Sequence, residues 1–167
     1  MLSTLEAKTG TRFYVWLSLS AAVIILDQAT KLLVSSFFRL GESLTLTPFF
    51  DLVFVFNRGA AFNFLSQAGG WQRWFFVVLA LAISAWIIVM LKRHADEKLL
   101  PAALALILGG ALGNVIDRLN HGAVVDFLSF HIADYYWPAF NVADSSISVG
   151  VVLMLWQQLR QGKEKLP

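Results

Sequence analysis

The chain has 167 residues, 57% hydrophobic and only 14% charged, with a mean hydropathy of +0.66. Soluble domains carry about 25% charged residues, so this composition describes an integral membrane protein, and the scattered net charge of +2 excludes a nucleic-acid-binding role. With no cysteine, thiol catalysis, disulfides and cysteine-ligated metal are excluded. The three histidines, His94, His121 and His131, lack metal-ligand spacing, and neither a metal nor a cofactor is expected.

Residues 1–12 are polar, with Lys8 and Arg12, and are too weakly apolar for a signal-peptide core. Residues 13–36 form the first predicted span. They are long enough to cross hydrocarbon, which takes about 20 apolar residues, and they show no clear small-residue cleavage site, so the helix is retained. Residues 40–70 differ in kind. Leu44-Thr45-Leu46-Thr47 alternates with period two, the run from Phe50 to Phe56 is rich in Val and Phe, and Pro48 and Asn57-Arg58-Gly59 supply turn chemistry. This stretch predicts a small β-element on the membrane surface. Residues 74–91 form a second span, followed by a charged loop from Lys92 to Lys98. Residues 99–118 form a third span and carry Gly109, Gly110 and Gly113, which permit close helix approach in lipid. Residues 119–140 read as a loop of mixed character, with Tyr135, Tyr136 and Trp137 as an interfacial belt. Residues 141–159 form the fourth span, and the tail is basic. Lys8, Arg12, Lys92, Arg93, Lys98, Arg160, Lys163 and Lys165 share one side, and the opposite side has only Arg39, Arg58, Arg73 and Arg118. The positive-inside rule therefore places both termini in the cytoplasm and the β-element outside. No repeat or flexible linker divides residues 1–167, so a single domain is expected.

The chemistry concentrates between Gly109 and Ser148. Asp126 sits in a valine-rich run. Asp144 shares a helix face with Asn141 and Ser148, and Asn141 is placed to cap that helix. Two neighbouring carboxylates cannot both ionise easily and tend to share a proton. One then activates water while the other protonates a carbonyl oxygen or leaving nitrogen, which is peptide hydrolysis without a covalent intermediate. The bland reading is two unrelated interface aspartates. Asn114, Asp117 and Arg118 share the outer end of the third span, either as a shell around the aspartates or as a helix end with Arg118 snorkelling to headgroups. Asp27 and Lys31 lie one helical turn apart. They read either as an intrahelical ion pair or as an inward face from which Lys31 reaches a headgroup or the site rim. Asn57 offers donor and acceptor groups that suit an extended peptide, and Gly59 permits a turn or a close backbone approach; an ordinary turn is the plainer reading. Ser145, Ser146 and Ser148 raise a serine nucleophile, but no histidine or lysine is placed to activate them.

Five motifs occur in order: Asp27-Gln28-Ala29-Thr30-Lys31, Asn57-Arg58-Gly59-Ala60-Ala61-Phe62, Gly109 through Asn114 to Asp117-Arg118, Gly122 to Phe127, and Phe140-Asn141-Val142-Ala143-Asp144. Together they make the chain resemble the lipoprotein signal peptidases (signal peptidase II), bacterial inner-membrane aspartic peptidases. The resemblance covers nearly the whole chain. It implies a mainly α membrane protein with four transmembrane helices and a periplasmic β-cradle between the first two. It also implies a catalytic pair, Asp126 and Asp144, that removes the signal peptide from a prolipoprotein just before a diacylglyceryl-modified cysteine. Asn57, Asn114, Arg118 and Asn141 match positions that shape the site and hold substrate; Gly59, Asp27 and Lys31 are grouped with them. The lipidated cysteine arrives by lateral diffusion with its acyl chains in the phospholipid, and the outer β-element closes over it. Sensitivity to cyclic peptide antibiotics such as globomycin is implied too, and a monomer is expected. The rival is a small transporter subunit using Asp27, Lys31, Asp126 and Asp144 as an ion or proton path. It should place charge near the midplane and often shows repeats; here the polar groups lie towards one face and no repeat is found.

Overall fold

The computed structural model describes residues 2–59 and 69–164, with side chains described for 12–59 and 69–160. Ala60, Ala61 and Phe62 of the second motif, and the side chains of Lys8, Lys163 and Lys165, lie outside the described residues. Among the described residues there are four long helices, α1 (Leu2–Phe37), α2 (Trp71–Arg93), α3 (Leu99–His121) and α4 (Val142–Glu164), with one pair of strands between α1 and α2 and another between α3 and α4. Each helix contains an apolar stretch long enough to cross a membrane: Arg12–Phe37, Trp71–Arg93, Leu99–His121 and Val142–Arg160. The protein is a multi-pass, mainly helical membrane protein carrying a small antiparallel sheet.

Helix α3 is the centre of the bundle and packs on the other three. Its glycines make this possible. A Cβ at Gly113 would stand 2.6 Å from Asp27 Oδ2, and one at Gly110 would collide with the Ala143 carbonyl. Without side chains there, α1 and α4 press directly against the α3 backbone. Helix α3 stops at Gly122, whose φ of 73° lets its N–H turn back to the Arg118 carbonyl. One apolar cluster, Ile87, Leu91, Leu104, Ala105 and Leu108, joins α2 to α3. The other helix faces are exposed and apolar, as lipid contact requires.

The sheet has the order β1 (Ser43–Thr47), β2 (Phe50–Asn57), β3 (Val124–Ile132), β4 (Tyr135–Tyr136). The period-two run and the Val/Phe run are both strands, as expected, and they pair as the hairpin β1–β2 across Pro48 and Phe49. The region between the third and fourth spans departs from expectation. Asp126 lies on a strand rather than in a loop, and β3 and β4 complete the sheet, which is therefore not built only from the segment between the first two helices. The run Val124-Val125-Asp126-Phe127-Leu128 is apolar enough to be buried on both faces, and β2 leaves an edge that β3 fills. Val34 of α1, Phe54 of β2 and Val125 and Phe127 of β3 form a second cluster that docks the sheet on the bundle.

At the other end of the bundle, Arg12 bonds the Asp96 carbonyl at 3.0 Å, Trp16 bonds the Ala95 carbonyl at 3.0 Å, and Gln157 bonds Glu97 at 3.0 Å. The start of the first span, the α2–α3 connection and the end of α4 thus share one end, and the sheet occupies the opposite one. Several helix ends differ from the sequence boundaries by a few residues, because apolar length marks the hydrocarbon slab while the helices continue into the polar zone.

Candidate active site

The site lies where the C-terminal end of α3 and the N-terminal end of α4 meet β2 and β3. The register pairs Val55 with Asp126 and Asn57 with Val124, so Asn57 lies diagonally beside Asp126 and donates to its Oδ2 at 3.1 Å. The Asn57 amide is itself oriented, because its Oδ1 accepts the Gly59 N–H at 3.0 Å. Asn141 caps α4: its Oδ1 accepts the Asp144 N–H at 2.9 Å. That bond aims its Nδ2 at Asp126 Oδ1, 2.7 Å away, and at the Val125 carbonyl, 3.2 Å away. From α3, Asn114 Nδ2 donates to Asp144 Oδ1 at 2.8 Å. The two asparagines approach each other at 3.3 Å, so Asp126 and Asp144 are joined through a pair of amides.

Both aspartates line one cavity of about 860 Å³, together with Asn57, Gly59, Asn114 and Arg118. Its far wall is apolar and includes Trp137, Phe140 and Ile147. Asp126 is 2% exposed. Burial, and after it the neighbouring Asp144 carboxylate, push Asp126 from its ordinary 3.8 up to about 7, against the amides of Asn57 and Asn141 and the charge of Lys31. Near neutral pH such a pair retains one proton between its two members.

Arg118 does not snorkel. Its Nη2 donates to the Gly59 carbonyl at 3.0 Å, its guanidinium lies 5.1 Å from the centre of the Phe76 ring, and its charge faces Asp144 and Asp126. Asp27 and Lys31 form the intrahelical ion pair at 2.8 Å and also face inward. Lys31 reaches no headgroup: it is 3% exposed, and its ammonium contacts Asp27 Oδ2 and Asp117 Oδ2 at 2.8 Å and Asn114 Oδ1 at 3.0 Å. Charged side chains at this depth are tolerated because they saturate one another. Ser145, Ser146 and Ser148 bond the carbonyls of Asn141, Leu106 and Asp144 within the bundle and carry no activating base.

Sequence reasoning missed Gln28 as a site neighbour. Its Nε2 donates to Asp117 Oδ1 at 2.9 Å and to Asp27 Oδ2 at 3.2 Å. A polar residue next to Asp27 in an apolar span was the available signal. The aromatic wall of Trp137 and Phe140 was also missed, because chain spacing does not reveal how the β3–β4 end curls back.

Four membrane-length helices with a buried and a half-buried carboxylate lining one largely apolar cavity fit the class of polytopic membrane peptidases of aspartic type. The model of the family described as Signal peptidase (SPase) II matches residues 19–160. A protein of Azoarcus sp. (strain BH72) named lipoprotein signal peptidase is 61% identical over 150 residues, covering 90% of this chain and 85% of its own. One of the same name from Burkholderia mallei (strain SAVP1) is 52% identical over 161 residues, covering 96% and 97%. Two solved bacterial membrane enzymes share the fold. That solved in meso at 2.3 Å has a TM-score of 0.82 and 32% identity over 91% of this chain and 92% of its own. The one at 1.9 Å has a TM-score of 0.76 and 33% identity over 87% and 92%. The chain belongs to the signal peptidase II family.

Proposed function

We propose that this protein removes the signal peptide from prolipoproteins, cutting just before the diacylglyceryl-modified cysteine, with Asp126 and Asp144 as the catalytic pair. The observation that carries this reading is the amide bridge: Asn114 and Asn141 tie the two carboxylates together at the rim of one cavity. The singly protonated pair takes a proton from water with its carboxylate, and the hydroxide adds to the scissile carbonyl. The carboxyl partner delivers its proton to the carbonyl oxygen. Collapse of the tetrahedral diol breaks the C–N bond: one hydroxyl returns its proton to the aspartate that protonated the carbonyl oxygen, and the proton first taken from water passes to the leaving nitrogen of the cysteine. Arg118 faces both aspartates and offsets negative charge as the adduct forms. Asn57, Gly59 and Asn114 shape the cavity wall along which an extended peptide lies, and Asn141 supports it from behind through Asp126 and Asn114. The apolar wall suits a substrate whose acyl chains never leave the membrane.

In this reading the protein sits in the bacterial inner membrane with both termini cytoplasmic and the site at the outer face, works as a single-domain monomer, and is blocked by globomycin. The transporter alternative finds no support among the described residues. Among the described residues the buried charges cluster at one end, and towards the other end the bundle is filled by the Ile87–Leu91–Leu104–Leu108 cluster. The test is cleavage of a lipid-modified, signal-bearing precursor by purified protein in detergent. Asp126→Asn and Asp144→Asn should each fold and lose about 10²–10⁴-fold in rate, the range for removing a general acid or base. Wild-type turnover by either variant would remove that aspartate from the mechanism.

A further inference from the structure

Two hydrogen bonds behind the site share an unusual relation to it. Asp27 Oδ1 accepts the backbone N–H of Ala143 at 2.9 Å, and Ala143 immediately precedes Asp144. Asp117 Oδ2 accepts the backbone N–H of Val125 at 3.0 Å, and Val125 immediately precedes Asp126. One ammonium joins these two carboxylates: Lys31 Nζ lies 2.8 Å from each. Its third donor meets Asn114 Oδ1 at 3.0 Å, which turns the Asn114 amide so that Nδ2 faces Asp144. Asp27, Lys31 and Asp117 are 0%, 3% and 3% exposed, and none of them lines the cavity.

A staple between helices needs one acid and one base. Two buried carboxylates on a single ammonium leave an excess negative charge in a dry setting, which is costly. What the second carboxylate adds is a hold on the backbone: Asp27 Oδ1 and Asp117 Oδ2 accept the N–H groups of the residues next to the two aspartates, while Gln28 donates to Asp117 Oδ1 and Asp27 Oδ2 between them. We propose that Lys31, Asp27 and Asp117 are positioning residues that set the spacing of Asp126 and Asp144, through the Ala143 and Val125 N–H groups and the Asn114 amide. This rests on the aspartate-pair reading above. It makes the bridge act on the chemical step and on how the pair shares its proton, and leaves substrate affinity alone.

Asp126 is faced by Asp144 from α4, Lys31 from α1 and Arg118 from α3, with the Asn57 amide from β2 and the Asn141 amide from the start of α4. Removing the Lys31 charge therefore leaves Asp144 less opposed and raises the pH at which the pair gives up its last proton.

The test uses the full chain in detergent with the lipid-modified precursor and three variants. Asp117→Asn leaves Lys31 paired with Asp27 and is the variant expected to fold. Lys31→Met removes the charge, and Lys31→Arg keeps it. In Asp117→Asn, kcat should fall on the order of 10²-fold, as a misplacement of about 1 Å brings, while KM moves less than about twofold. Lys31→Met should shift the alkaline limb of the kcat profile to higher pH, and Lys31→Arg should restore the limb. If activity falls only in step with the folded fraction, with kcat per folded molecule and the pH limb unchanged, the cluster is a staple and the proposal is wrong. It is equally overturned if KM carries the whole effect. Failure of the underlying reading looks different: Asp126→Asn and Asp144→Asn would then still cleave.

Discussion

Replacing Asp126 with asparagine should disable the protein and, above neutral pH, make it more stable. Asp126 is buried, and its folded value of about 7 lies well above the ordinary 3.8. Between those values the folded chain holds a proton that the unfolded chain has lost. The stability contributed by this group is therefore fully present below 3.8, drains away as pH rises, and is gone above 7. Holding the ionised carboxylate in its site above pH 7 costs about 4 kcal/mol, at about 1.36 kcal/mol per pH unit. At pH 5 less than half of that has been lost. Asparagine has nearly the same shape and never ionises. It does sacrifice one contact, since its amide cannot accept from both Asn57 and Asn141 as the carboxylate does at 3.1 and 2.7 Å, a loss of about 1 kcal/mol. Relative to the parent, Asp126→Asn should then be near neutral at pH 5 and about 2–3 kcal/mol more stable at pH 8, a shift of roughly 5–10 °C in Tm. Thermal unfolding of both proteins in detergent at the two pH values measures it. A Tm difference between Asp126→Asn and the parent that stays constant or narrows from pH 5 to pH 8 would refute the reasoning, because it would mean the carboxylate is well solvated or compensated in the fold.

Three further outcomes follow from the same geometry. The kcat of precursor cleavage should fall as pH rises through about 7, where the pair loses its shared proton; a profile flat from about pH 6 to 9 would contradict the singly protonated pair. Gly113→Ala forces a methyl to within 2.6 Å of Asp27 Oδ2 and should destabilise by about 1–3 kcal/mol, read as a lower Tm, whereas Gly41→Ala, with nothing within 4 Å but a φ of 83°, should cost only backbone strain, about 1–2 kcal/mol. Asn141→Ala removes the α4 cap and the 2.7 Å bond to Asp126 together. It should lower stability by about 1–2 kcal/mol and abolish most turnover, while Asn141→Ser, which keeps a capping oxygen, should recover the Tm and leave the activity low.

Much of the architecture is written locally. The four spans are legible because hydrocarbon demands about 20 apolar residues in a row, whatever they pack against. The β1–β2 hairpin announces itself through period two and Pro48, and the Asn141 cap through its position one turn before Asp144. The small residues of α3 mark it as the helix that others approach. Even the gathering of polar residues towards one end follows from where they sit along each span.

The tertiary structure decided what joins across the chain. Residues 119–140 read as a loop, because an apolar run of a few residues carries no signal of its partner; only the open edge of β2, whose Asn57 bonds Asp126 from 69 positions earlier, turned it into β3. The choice for Lys31 between a headgroup and the interior was settled by Asp117, which lies on another helix and is invisible to any spacing rule along α1. The same holds for the two asparagines that bridge the carboxylates. Local sequence sets which segments are helix or strand through propensity and hydration, which act over a few residues. Which carboxylate meets which amide depends on helix packing and strand register, and those exist only once the whole chain has closed on itself.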